Sequence, residues 1–436
     1  MREPINEKAL PPGWKWVKLG EYVTSVKGKK PKRVSKEKTL ECSIPYINIK
    51  AFEKKEIDEY TDGIGCVLCS DGDFLMVWDG SRSGFVGKGI KGALGSTLVK
   101  LNFPDIENNY AFFFLQSKFI EINSRAKGVG IPHVDPNILW NYRLLVPPFE
   151  IQRAIVSKIE ELFSELDKGI ENLKTAQQQL KTYRQSVLKW AFEGKLTKDE
   201  GRGTRDEERG TKNEGRETKE ELPMATEPQA DYLTDLPEGW KWVKLKEIAL
   251  EISDGDHQPP PKTSSGIPFI TISNIDKHTN KIDFSKTFYV SSEYYGNLKK
   301  NRKPRIGDIL YTVTGSFGIP ILIDFEKEFC FQRHVGLIRP LASVNQRWLF
   351  YLLQSQLIYN QAKNTATGTA QKTVALNSIR NFNIPMCSFK EQQTITMAIE
   401  TRLSVADKME ETINQSLQQA EVLRQSILKR AFEGRL

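Results

Sequence analysis

Apolar residues return in alternating steps of four and three along the middle of the chain. From Ile155 the positions 159, 162, 166, 169, 173, 176, 180, 183, 187 and 190 hold Ile, Leu, Leu, Gly, Leu, Ala, Leu, Tyr, Val and Trp. This is a heptad seam with Gly169 as its one weak position, and it predicts a helix of about 40 residues, about 60 Å long. The 395–430 stretch keeps the spacing with Ile395, Ile399, Ala406, Met409, Ile413, Ala420, Leu423 and Ile427, but Arg402, Ser416 and Arg430 interrupt it. A seam so interrupted needs a partner, so the two helices are predicted to pair. Gly194 and Gly434 stand where a left-handed residue would cap each one.

Ahead of each helix the pattern changes. Short β-like runs such as "YINI" (46–49) and "FITI" (269–272) are punctuated by Gly, Pro and Asp. Then "NNYAFFFLQSKFIEINSRA" (108–126) and "NQRWLFYLLQSQLIYNQA" (345–362) carry bulky residues at helical spacing. The parallel extends to the letters. "LPPGWKWVKLGEYV" (10–23) matches "LPEGWKWVKLKEIA" (236–249), "GDFLMVWDGS" (72–81) resembles "GDILYTVTGS" (307–316), and "RQSVLKWAFEGKL" (184–196) returns as "RQSILKRAFEGRL" (424–436). Agreement is strongest at the edges of each half and weakest inside.

Two homologous halves should fold alike. The expected architecture is α+β: β-rich domains at 1–150 and 236–388, each followed by a long helix (151–196 and 389–436), with the helices pairing. Between the halves, residues 197–235 hold almost nothing apolar before Leu222, and "RGTRDEE", "RGTKNEG" and "RETKEEL" form three imperfect heptads. This composition reads as a charged, flexible linker.

Composition narrows the function. Of the 436 residues 39% are hydrophobic, enough for folded cores. No apolar run approaches the roughly 20 residues of a membrane span, and "MREPINEKAL" lacks a signal-peptide core, so a cytoplasmic protein without membrane contact is expected. Five scattered cysteines suit a reducing compartment. A formal charge of +8 tilts the partners toward nucleic acid.

Catalytic patterns fail on inspection. Gly87, Gly89 and Gly92 spell GxGxxG without a following helix and ribose-binding acid. Cys66 and Cys69 make a CxxC with no second pair at zinc spacing, which reads as a structural strand pair. "GSRSGFVGK" lacks the first glycine of a phosphate loop, "VPPF" (146–149) has Val146 where an amino-methyltransferase needs an acceptor, and the four histidines are dispersed. No catalytic residue, metal site or bound cofactor is assigned to this chain, and an enzyme is not expected.

Positive charge concentrates in "KGKKPKRVSKEK" (27–38) and "LKKNRKPR" (298–305), both in the variable interiors. Lys27, Lys29, Lys30, Lys32 and Arg33 in the first run, and Lys299, Lys300, Arg302, Lys303 and Arg305 in the second, are candidate phosphate contacts. Base reading needs forked or polar side chains on firm turns. "DGSRSG" (79–84), "TGSFG" (314–318), "QRH" (332–334) and "TGTAQK" (367–372) offer Arg82, Arg333, Gln371 and Lys372. The repeated tryptophans of "GWKWVKL" belong to the core or a strand edge, since a shared residue cannot distinguish two targets.

With these features in order, the chain resembles the specificity (S) subunit of type I restriction–modification systems. Members have two target-recognition domains, each opening near "LPxGW", closing near "IPxPPxxEQ" and followed by a long helix. Here the closings are "LLVPPFEIQRAI" (144–155) and "NIPMCSFKEQQTI" (383–395), with Ile151 in place of Glu and Met386-Cys387-Ser388 in place of the diproline. The resemblance implies an antiparallel coiled coil of the two helices in pseudo-twofold arrangement, acting as a spacer. It also implies double-stranded DNA as ligand, read as a bipartite asymmetric target. The implied partners are modification (M) subunits carrying S-adenosylmethionine chemistry and a restriction (R) subunit using ATP and Mg2+. The competing expectation is a coiled-coil scaffold or adaptor without a DNA role, which explains the helices but not two unlike basic interiors.

Overall fold

A computed structural model describes residues 10–128, 130–196, 236–258, 260–277, 279–369 and 371–435. The expected linker at 197–235 lies outside the described residues. The chain forms two compact units: residues 1–173 with 414–436, and residues 174–413.

The first unit begins at a tight turn. Trp14 N–H donates to Pro11 O at 3.1 Å across Pro12-Gly13, and Gly13 has φ +81°, the positive φ that a type II turn requires at its third residue. The turn launches Lys15–Lys18, which pairs antiparallel with Arg143–Val146, the last strand before the long helix. Val17 is buried while Trp16 stays 38% exposed, so the repeated heptapeptide is a two-stranded latch. The sheet behind it runs Thr24–Lys27, Leu98–Asn102, Phe74–Val77, Val86–Lys88, all antiparallel. A second sheet has Ile44–Ile47 parallel to Gly92–Leu94, flanked by Tyr60–Thr61 and Leu68–Cys69. The helix Asn108–Ser124 buries six consecutive residues from Tyr110 to Leu115.

The second unit repeats this plan. Lys241–Lys244 latches to Asn383–Met386. Ala249–Asp254, Val335–Pro340, Ile309–Thr312 and Pro320–Leu322 form the antiparallel sheet. Ile267–Ile270 runs parallel to Cys330–Phe331 and antiparallel to Phe288–Val290. The one helix expected over 345–362 is two here, Gln346–Gln354 and Gln356–Thr365. Buried Ser355 takes an extended conformation and returns both its N–H and its hydroxyl to Leu352 O, the local hydrogen bonding by which serine competes with a helix.

One buried glutamine fastens the same joint in each unit. Gln152 accepts from Glu107 N–H (2.9 Å) and donates to Pro147 O (2.8 Å). Gln392 accepts from Asn345 N–H (2.8 Å) and donates to Cys387 O (3.0 Å). Each therefore ties the start of a long helix to the N-terminus of the domain's packing helix. Glu391 also receives the Trp240 indole N–H at 2.9 Å; Ile151 stands at the matching place in the first unit and has no acceptor to offer.

The long helices run Phe149–Phe192 and Phe389–Phe432. Both end in a Schellman motif. Gly194 (φ +67°) donates to Ala191 O while Lys195 donates to Trp190 O, and Gly434 (φ +69°) and Arg435 do the same to Ala431 and Arg430. Every predicted seam position of the first helix is buried or half-buried. Val156, Phe163, Leu188 and Ala191 join them, because the helix also packs on its domains: Phe163 meets Phe113 edge to face at 5.7 Å.

Within the first unit, Arg424 of the second helix pairs with Asp167 and stacks over Phe163 at 4.4 Å. Within the second unit, Arg184 of the first helix meets Asp407 (2.7 Å) and Glu410 (2.9 Å). These pairs correct the predicted seam of the second helix. Met409 (47%) and Leu423 (50%) are exposed, and Glu410 and Arg424, one residue later, are half-buried in their place. Charged side chains can hold seam positions here because each finds an opposite charge on the facing helix.

Among the described residues, no helix is long and apolar enough to cross a membrane. Cys69 is buried in its short strand, with its thiol toward Gly92 O (3.5 Å), and burial pushes that thiol's pKa up. Cys66 sits outside the strands, so the expected strand pair is one strand cysteine and one turn cysteine.

Candidate nucleic-acid interface

Four loops are hydrogen-bonded into one corner of each unit, on the same backbone plan. In the first unit Gly28 N–H donates to Leu98 O and Lys29 N–H to Leu94 O, joining loop 27–30 to loop 94–98. Trp78 N–H donates to Thr97 O (2.8 Å), which adds loop 78–82. Gly80 N–H to Pro132 O (2.7 Å) and Val134 N–H to Trp78 O (2.9 Å) add the hairpin 127–133.

In the second unit Asp256 N–H donates to Phe331 O and Arg333 N–H to Asp256 O. Val313 N–H donates to His334 O (2.9 Å), Gly315 N–H to Lys372 O (2.9 Å) and Val374 N–H to Val313 O (2.8 Å). Gly28 and Gly255 make the first junction possible. A Cβ would lie 2.2 Å from Gly95 O in one and 2.0 Å from Phe331 O in the other, distances no side chain tolerates.

On this common frame the side chains differ. Where the first unit has Lys27, Lys29, Asp79, Ser96 and His133, the second has Asp254, Asp256, Thr314, Arg333 and Thr373. The second corner is built on carboxylates. Asp254 lies 2.7 Å from His257 Nε2 and 3.6 Å from Arg302, and Asp256 lies 3.7 Å from Arg302 and accepts from Tyr294 Oη. Burial opposes ionisation of Asp256, but the Tyr294 hydroxyl, two backbone N–H groups and Arg302 outweigh it, and its carboxyl is held below the usual range. Burial and the neighbouring Arg333 charge lower the His334 pKa, which favours the neutral ring.

The candidate contacts divide by what holds them. Lys27 pairs with Asp79 at 2.8 Å, and Arg33 lies 3.5 Å from Glu41. Arg82 pairs with Glu53 (3.1 Å) and stacks over Phe85 at 4.1 Å, so its guanidinium is fixed in place. Arg302 is committed to the two aspartates, and Lys303 donates to Gly296 O and lies over the Tyr295 ring. Lys29, Lys30, Lys32, Lys299, Lys300, Arg305, Arg333, Gln371 and Lys372 are exposed. "TGSFG", "QRH" and "TGTAQK" are brought together in the second unit. The 298–305 run is tethered beside them by the buried Asp308–Arg339 pair, since Arg339 also donates to Lys303 O and Asp308 accepts from Arg305 N–H.

Asp254, Asp256, His257, Lys127 and His133 belong to the corners but escape a search for positive runs. Aligning "VKGK" (26–29) with "SDGD" (253–256) on their shared glycine would have exposed the first two.

Comparison with known proteins finds the same duplication. The family model described as type I restriction modification DNA specificity domain matches residues 11–175 and again 237–419. The chain belongs to this family, with two copies of its domain. It is 26% identical over 444 residues to the type I restriction enzyme MjaVIII specificity subunit of Methanocaldococcus jannaschii, covering 98% of this chain and 94% of that one. It is also 26% identical over 371 residues to the EcoBI specificity subunit of Escherichia coli, covering 84% and 73%.

Two solved structures share the fold. One, described as the structural basis underlying complex assembly and conformational transition of the type I R-M system, aligns at TM-score 0.66 and 21% identity over 98% of this chain and 100% of that one. The HsdS subunit from Thermoanaerobacter tengcongensis aligns at 0.52 and 21%, over 99% of each.

Proposed function

We propose that this chain supplies DNA sequence recognition to a type I restriction–modification complex, each unit reading one half of a bipartite, asymmetric target. The observation that carries this is the pair of four-loop corners: one backbone frame, unlike exposed side chains. A frame used twice with different chemistry suits two different half-sites. In this reading the long helices pair as an antiparallel coiled coil in pseudo-twofold arrangement, set the unspecified gap and dock modification subunits. Those partners bring S-adenosylmethionine, and a restriction subunit brings ATP and Mg2+. The chain itself positions DNA and catalyses nothing.

The test is methyl transfer to duplex DNA by the purified chain with S-adenosylmethionine, alone and with modification subunits. Transfer is expected only in their presence, at one bipartite motif; transfer by the chain alone would overturn the reading.

Phosphate binding has its own signature. Neutralising Lys299, Lys300 and Arg305 should weaken binding to every sequence and flatten the salt slope by up to about 0.9 for each phosphate left without its cation. Arg302 and Lys303 are left intact because they are engaged within the chain. Salt titrations of duplex affinity measure this, and an unchanged slope would make the run a solvated face.

A further inference from the structure

Ile131 is 69% exposed at the tip of a hairpin. Lys127 and His133 close that hairpin by exchanging both backbone hydrogen bonds (2.9 and 2.7 Å), and Gly80 N–H holds the tip at Pro132 O. A Cβ on Gly128 would lie 2.5 Å from Ile131 O, so the turn beneath the tip is tightly set. In the second unit Thr367 and Thr373 close the same hairpin (2.9 and 2.8 Å), and Gly315 N–H holds it at Lys372 O. A Cβ on Gly368 would lie 2.4 Å from Gln371 O.

Ile131 and Gln371 are therefore delivered to equivalent points by equivalent backbone, and both are exposed. Their chemistries are opposite. A glutamine amide presents an acceptor and a donor at the spacing of adenine N6–H and N7. An isoleucine has neither, and the apolar feature of the major groove is the thymine 5-methyl group.

Resting on the recognition role proposed above, we propose that Ile131 and Gln371 are equivalent specificity-determining residues. Ile131 selects a thymine through its 5-methyl group in one half-site, and Gln371 selects an adenine through N6 and N7 in the other.

The test selects duplexes from a randomised double-stranded DNA pool with the full chain and its modification subunits, for wild type, Ile131→Gln and Gln371→Ile. Both sites are exposed, so the variants should melt as wild type does. Ile131→Gln should exchange thymine for adenine at one position of one half, and Gln371→Ile adenine for thymine at one position of the other. In the wild-type duplex, uracil at the Ile131 position should weaken binding about four-fold, the worth of one buried methyl group, and Ile131→Gln should be indifferent to it. Unchanged selected sequences, or equal affinity for uracil and thymine, would overturn the proposal. A wild-type chain that selects no sequence would overturn the underlying recognition role as well, which is a distinct result.

Discussion

Asp308→Ala is expected to destabilise the second unit by about 3–5 kcal/mol, the loss that follows when one member of a buried ion pair is removed. The Asp308 side chain is 2% exposed and Arg339 14%. The carboxylate accepts from Arg339 Nε (2.8 Å) and Nη2 (2.7 Å) and from Arg305 N–H (2.9 Å), so truncation strands a guanidinium with no anion. Denaturant unfolding of the full chain measures the loss, and hydrogen exchange should rise first in Ile309–Thr312 and Val335–Pro340. The equivalent aspartate in the first unit, Asp73, pairs instead with Lys100 at 2.6 Å in a more open setting, with side chains 20% and 33% exposed. Asp73→Ala should therefore lose less, about 1 kcal/mol. Equal losses at the two sites would mean that burial does not set the strength of these pairs.

Gln392→Leu should cost about 2–4 kcal/mol, and Gln152→Leu a similar amount. Each substitution leaves a half-buried N–H and a buried carbonyl without partners, at about 1–3 kcal/mol apiece. The N–H is that of Asn345 or Glu107, the residue that opens the packing helix. Thermal unfolding followed by circular dichroism would register the loss. A change below about 0.5 kcal/mol would mean that water replaces the amide at both ends.

The sequence carried the frame more clearly than the surface. The first long helix was legible because its apolar residues face inward at every predicted step. The second was misread by one residue at Met409 and Leu423, since Glu410 and Arg424 take the inward places through ion pairs that spacing rules cannot see. The glycine caps were legible because only a left-handed residue fits there. The candidate corners were harder to read. Lys27 and Asp79, or Arg302 and Asp254, are distant in sequence, so a positive run says nothing about which cations are already paired. Gln371 and Arg333 stood out as forked side chains on turns, whereas Ile131, an apolar residue on an exposed tip, was invisible to any search for polar readers.

In the proposed function, two separately built corners each specify one half of a target. The most direct measurement maps methylated motifs in DNA exposed to the chain and its modification subunits, comparing wild type with Arg333→Ala. Arg333 stands in the second corner with its backbone N–H fixed to Asp256 O. A bipartite motif is expected in which Arg333→Ala relaxes a position in one half, at about 1–3 kcal/mol of discrimination, and leaves the other half intact. Relaxation of both halves together, or a single continuous motif, would contradict it.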